Sequence, residues 1–70
     1  MLIRNKGKNY VIRENGWYLV FDIWHGYVND ILNTPDIDYA WHFESEEDAE
    51  RFIKSISYPR RITNYQIVRC

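Results

Sequence analysis

Cysteine, glycine and proline are scarce in this chain of 70 residues, and long hydrophobic runs are missing. Cys70 is the one cysteine, which excludes a disulfide within the chain and, with it, the secreted disulfide scaffolds. The longest apolar run, from Trp17 to Trp24, is far shorter than the ~20 residues of a membrane helix. The first residues contain no signal-peptide core. We therefore expect one domain, residues 1–70, in a reducing cytoplasm and away from membranes.

Lysine and arginine are absent from residues 14–50, although that segment holds all ten acidic residues of the chain. The nine basic residues lie before and after it, and the formal net charge is −1. A surface with one sign of charge attracts a partner of the other sign. Acids also stabilise helix N-termini, which gives part of this cluster a purely local explanation. The acidic residues predicted to bind a partner are Asp36, Asp38, Glu44, Glu47 and Glu50.

Asn15-Gly16 separates two apolar segments and is typical of a two-residue hairpin turn. Such a turn pairs residues 10–14 with residues 17–21, and alternation then predicts a core face and an opposite face. The core face contains Tyr10, Ile12, Trp17, Leu19, Phe21 and Ile23. The opposite face contains Val11, Arg13, Tyr18, Val20, Asp22 and Trp24.

A third strand, a helix and a last strand are predicted after this hairpin. Residues 27–38 are rich in asparagine and aspartate and are interpreted as a long connection, followed by a short strand at 39–43. Ser45 is the predicted N-cap of a helix whose apolar residues recur at intervals of three and four, and residues 65–69 alternate again. The predicted fold class is therefore α+β, with an antiparallel sheet of three to four strands (order β-β-β-α-β) and one helix packed on one face.

One helix covers one face of a sheet, so the opposite face must contact water or a partner. Tyrosine, tryptophan and arginine are enriched in protein interfaces. The residues of the opposite face that fit this composition, and that we predict to bind a partner, are Arg13, Tyr18, Val20 and Trp24. The partner can be a foreign protein or a second copy of the chain, and the sequence favours neither.

No residue pattern indicates catalysis or a cofactor. The sequence has no nucleophile elbow, no phosphate-binding glycine loop and no His-Glu-x-x-His motif. A metal site would need His25 and His42 to be joined by acids such as Asp22, Asp38 or Glu44, and these lack the spacing of zinc ligands. We therefore expect a non-catalytic protein without a metal.

Nucleic-acid binding is an alternative function. Aromatic residues of the opposite face can stack on bases, while Arg60, Arg61, Lys6 and Lys8 can contact phosphates. The acidic middle of the chain repels phosphates, so the sequence favours protein binding over nucleic-acid binding. A third interpretation is an accessory homodimer with no foreign ligand.

Residues 40–53, AWHFESEEDAERFI, follow a strand at Tyr10–Arg13 and precede another at Tyr65–Val68. This arrangement resembles short bacteriophage proteins in which a hairpin is followed by the pattern A-x-x-F-x-S-x-E-E-A, a helix and a closing strand. Ala49 stands one position later than in that pattern, after Asp48. The resemblance implies an origin in phage or mobile DNA, where small non-enzymatic proteins bind and inhibit host proteins, including defence nucleases. We accordingly expect an inhibitor or modulator of a host protein that handles nucleic acid or acts in defence (anti-CRISPR-like), in the bacterial cytoplasm.

Overall fold

A computed structural model describes residues 8–70 and contains one four-stranded antiparallel sheet and one α-helix. The strand order in the sheet is β3-β2-β1-β4, and a 3₁₀ turn at Ile37–Tyr39 follows β3. This architecture confirms the predicted α+β class. The elements are β1 (Tyr10–Glu14), β2 (Trp17–Trp24), β3 (Tyr27–Thr34), α1 (Glu46–Ser55) and β4 (Tyr65–Arg69).

Two tight turns with positive φ angles connect the first three strands. Asn15 and Gly16 have φ angles of 53° and 84°, and Arg13 pairs with Tyr18, as the Asn-Gly signal predicts. His25 and Gly26 repeat this geometry with φ angles of 52° and 79°. Both turns therefore have the left-handed backbone that matches the twist of two neighbouring strands.

The third strand is residues 27–34, so the prediction of a connection there and of a strand at 39–43 is wrong. The reason is a register shift beside Asp22, where β3 has one extra residue. Val28 pairs with Ile23 and Ile31 pairs with Phe21, so two residues three apart share the core face. Because of the bulge, the core-facing residues of β3 recur at an interval of three residues, which is typical of a helical turn.

Residues 40–43 lie between β1 and β2 instead of forming a strand of their own. The amide of Trp41 donates to the carbonyl of Leu19 at 3.0 Å, while Phe43 and Tyr10 exchange two backbone hydrogen bonds of 2.7 and 3.1 Å. The register of β1 with β2 accordingly contains Arg13↔Tyr18 and Glu14↔Trp17. The longer pairing predicted from the turn is wrong because this segment occupies the space between the diverging strands.

The core fills the space between α1 and one face of the sheet. Ser45 begins the helix as its N-cap, because its Oγ accepts a hydrogen bond of 3.0 Å from the amide of Asp48. Trp17, predicted to lie in the core, is 46% exposed because it stands at the end of β2 beside the turn. The buried core residues are Ile12, Leu19, Phe21, Phe43, Ala49, Ile53, Ile56 and Ile62. Neither helical segment within residues 8–70 is long and apolar enough to span a membrane.

Candidate protein-binding surface

The sheet face turned away from α1 carries the exposed aromatic residues of β2 and β3. We call it the reverse face. Its cross-strand pairs follow one another along these two strands. The pairs are Tyr18↔Thr34, Val20↔Leu32, Asp22↔Asp30 and Trp24↔Tyr27.

Large apolar side chains of the reverse face are open to solvent near the second turn. Trp24 is 63% exposed, Tyr27 is 75% exposed and Leu32 is 48% exposed. Trp24 also contacts the ring of His25 edge-on, at a centroid distance of 4.6 Å. A domain of this size does not expose such side chains together without a cost in solvation, so this end of the face is a candidate for protein contact.

On β1 the reverse face is partly covered. Val11 lies on this face by alternation and is fully buried, although it is outside the main core cluster. His42 is 9% exposed, and its Nδ1 lies 2.7 Å from the carbonyl oxygen of Ala40. The prediction that the whole face is bare therefore needs correction: the open area is formed by β2 and β3, with Arg13 of β1 exposed beside the first turn.

The four residues of the opposite face that are predicted to bind a partner all lie on the reverse face. Arg13 and Trp24 are exposed, while Tyr18 and Val20 are half-buried. Val20 and Trp24 lie on β2 on either side of Asp22, and Arg13 is opposite Tyr18 on β1. The structure therefore brings these residues together on one surface, as alternation predicts.

Two carboxylates face each other in the middle of the open area. Asp22 and Asp30 are direct cross-strand partners, and both are exposed. Asp30 accepts a hydrogen bond of 2.9 Å from the amide of Ile31. Among residues 8–70, neither aspartate forms an ion pair with a basic side chain. Like charges in this position repel, and the nearest pairs on either side are apolar.

The acidic residues selected from the sequence lie in two separate elements. Asp36 is the N-cap of the 3₁₀ turn, where its Oδ1 accepts from the amide of Asp38 at 3.0 Å. Glu44 and Glu47 are exposed beside the N-terminus of α1. Residues 40–43, which are hydrogen-bonded to β1 and β2, separate the two pairs along the chain.

Glu50 is engaged inside the molecule. Its carboxylate accepts a hydrogen bond from the Tyr65 hydroxyl, which joins α1 to β4. This hydrogen bond to Glu50, together with burial, raises the pKa of Tyr65 above its usual value. Glu50 therefore stabilises the fold and is less open to a partner than Glu44 or Glu47.

Two of the basic residues proposed for phosphate contact, Arg60 and Arg61, lie on the helix side of the sheet. Arg60 donates to both carboxylate oxygens of Glu14, at 2.7 and 2.9 Å, and this hydrogen bonding raises the pKa of the guanidinium. Arg61 lines a groove with Ile53 and Ile62 beneath the helix. The aromatic residues of the reverse face and these arginines therefore point to opposite sides. Lys6 lies outside the described residues.

The described part of the chain contains no cluster of metal ligands. Within residues 8–70, no three potential ligands among His, Cys, Asp and Glu lie close enough together to hold a metal ion. His25 packs on Trp24 and His42 is bonded to its own backbone neighbour, while Cys70 is exposed. A groove of about 390 Å³ lies between the second turn and the end of α1, with Tyr27 and Tyr58 at its rim.

Sequence reasoning missed three residues of the open area: Tyr27, Asp30 and Leu32. All three belong to β3, which was interpreted as a connection. The signal that could have found them is His25-Gly26, because histidine tolerates the left-handed region and glycine follows it, as in Asn15-Gly16. Comparison with protein-family models, curated proteins and solved structures found no match to this chain.

Proposed function

We propose that this protein is a small non-catalytic binding protein that inhibits or modulates a host protein by docking its reverse face onto it. The observation that supports this most directly is the exposure of Trp24, Tyr27 and Leu32 on one face. Tryptophan and tyrosine supply much of the binding energy at protein interfaces when they enter desolvated pockets. The resemblance to short bacteriophage proteins supports a target in a bacterial host, among proteins that handle nucleic acid or act in defence.

The acidic residues have a second role in this proposal. Glu44, Glu47 and Asp36 are exposed and lie outside the open area. Charges in such rim positions accelerate the encounter with a basic target more than they strengthen the complex. A basic target is expected because Asp22 and Asp30 lie within the open area itself.

The test compares two tryptophans on the same strand. Trp24 lies on the reverse face, whereas Trp17 is also exposed but belongs to the helix side of β2. Tagged wild type, the double variant W24A/Y27A and the control W17A are incubated with bacterial lysate, and captured proteins are quantified by mass spectrometry. We expect wild type and W17A to capture the same target, and the double variant to lose it by at least tenfold.

Two results would count against the proposal. Equal capture by W24A/Y27A and wild type would exclude the reverse face as the docking site. Tight binding of single- or double-stranded oligonucleotides in a fluorescence titration, lost on W24A/Y27A, would favour the nucleic-acid alternative instead.

A further inference from the structure

The reverse face carries both signs of charge, at positions that complement each other in a second copy. Arg13 is the basic residue on this face within strands β1–β4, and it is exposed. Asp22 and Asp30 are the acidic pair. Within the described residues 8–70, none of the three forms an ion pair. The same surface thus presents an unpaired cation and two unpaired anions.

These charges are too far apart to neutralise each other within one molecule. Arg13 is opposite Tyr18, and Asp22 lies four residues further along β2. At ~3.3 Å per residue, this separation is about 13 Å along the strand. Between the two charges on the same face lies Val20, which is half-buried and paired with Leu32. Cation and anion are therefore separated by an apolar centre.

We propose that the reverse face pairs with the reverse face of a second copy, so that Arg13 of each copy meets Asp22 and Asp30 of the other. A two-fold axis that lies between the two sheets and passes over the midpoint of this separation, beside Val20, produces both contacts at once. The pairing is isologous, because the same surface is used by both copies. Each arginine then relieves the repulsion within an aspartate pair that forms no ion pair within residues 8–70 of its own chain.

An arginine suits this acidic pair better than a lysine. Its planar guanidinium binds carboxylates through two hydrogen bonds and is weakly hydrated. The aspartates are bordered by Trp24 and Tyr27 on one side, so the incoming guanidinium also finds aromatic rings for cation–π contact. Val20 and Leu32 on the other side pack against the same two residues of the second copy.

The size of the face predicts a weak dimer. Eight residues of β2 extend about 26 Å, and the open area, from β3 to Arg13 on β1, is three strands or about 14 Å wide, so the footprint is on the order of 350 Å². A stable interface buries roughly 800 Å² on each partner. We therefore expect a weak dimer whose affinity falls sharply as salt rises. A dimer of this strength leaves the face available to a tighter-binding partner.

The decisive experiment reverses the charge of the arginine in one variant and the charges of the two aspartates in another. Sedimentation velocity at low salt is measured for wild type, R13E, D22K/D30K and an equimolar mixture of the two variants. Each variant alone places like charges against each other and is expected to dimerise at least tenfold more weakly than wild type. In the mixture, Glu replaces Arg on one copy and Lys replaces Asp on the other, so both contacts are restored and a heterodimer forms.

Three results would overturn the pairing. They are a wild type that is monomeric at millimolar concentration, variants that dimerise as wild type does, and a mixture that stays monomeric. Circular dichroism establishes that each variant is folded. Should D22K/D30K fail to fold, the neutral variant D22N/D30N replaces it, and unchanged dimerisation in D22N/D30N or in R13E would again contradict the proposal.

This inference shares its surface with the proposed function but does not depend on a foreign partner. A monomeric wild type that still loses its captured target on W24A/Y27A would overturn the self-pairing alone. A charge-dependent dimer that captures nothing from lysate would overturn the proposed function alone.

Discussion

The two faces of the sheet differ in what covers them, and β2 shows the difference within three residues. Phe21 faces α1 and is 3% exposed, whereas Trp24 faces away and is 63% exposed. Phe21 has aromatic neighbours from two segments, with its ring centroid 4.8 Å from that of Phe52 on α1 and 6.5 Å from those of Phe43 and Trp41 in residues 40–43. The same class of side chain thus serves the core on one face and remains available for binding on the other.

The comparison also explains why so small a chain folds at all. Edge-to-face aromatic contacts add stability beyond area burial, and the helix-side cluster concentrates them around one ring. The reverse face contributes less, since its aromatic residues lie near a turn and are covered by nothing within residues 8–70. Stability and binding are therefore assigned to different faces of one sheet.

The largest expected effect on the free energy of unfolding comes from truncating a buried aromatic residue, and truncating an exposed one on the reverse face is the comparison. F21A leaves a cavity in the core and is expected to cost about 3–5 kcal/mol, which is comparable to the whole stability of a domain this size. W24A is expected to cost less than about 1 kcal/mol, because its ring is largely in water. Urea denaturation followed by circular dichroism, at a protein concentration below that of dimerisation, measures both. Equal costs for the two variants would contradict the separation of roles.

A smaller effect is expected at the contact that holds α1 to β4. Y65F removes the hydroxyl that donates to Glu50 and is expected to cost about 0.5–1.5 kcal/mol. The folded-state pKa of Tyr65 is raised, so this stabilisation is present below the usual tyrosine pKa of about 10 and is lost as pH rises through the higher folded value. Stability curves of wild type and Y65F should therefore converge above pH 10. If wild type and Y65F still differ in stability by the same amount at pH 11.5, the hydrogen bond to Glu50 is not the source of that difference.

The smallest effect tests the repulsion on the reverse face. D22N removes one of two facing carboxylates and is expected to stabilise the monomer by about 0.2–1 kcal/mol. E44Q is the matched control, because Glu44 is exposed and faces no carboxylate across a strand. Thermal unfolding at low salt measures both variants, and the gain for D22N should shrink as salt is added. A loss of stability in D22N would mean that Asp22 makes a favourable contact in the folded protein.

Local signals in the sequence were sufficient for much of the fold. Asn15-Gly16 set the first turn and the relative faces of Arg13 and Tyr18, and Ser45 marked the start of the helix. Each of these depends on a few adjacent residues, whose backbone preferences are strong enough to act alone. The fold class and the aromatic part of the candidate site followed from them.

Other features could not be derived in this way. The bulge in β3 broke the alternation that identifies a strand, so Tyr27 and Leu32 were missed. The insertion of residues 40–43 between β1 and β2 depends on hydrogen bonds that join Phe43 to Tyr10 and Trp41 to Leu19, and no local pattern encodes contacts between residues so far apart in sequence. The engagement of Glu50 by the Tyr65 hydroxyl is likewise a contact between segments that are distant in sequence.

The amino-acid sequence by itself determined the class of fold, the first hairpin, the capped helix and the side of β2 on which Tyr18 and Trp24 lie. Tertiary structure alone decided that β4 pairs with β1, that residues 40–43 lie between β1 and β2, and that Glu50 binds Tyr65. The physical reason is how far apart in sequence the interacting groups lie. Turns and caps are governed by neighbouring backbone groups, whereas strand pairing and charge proximity depend on which distant segments the packing of Phe21 and its neighbours brings together.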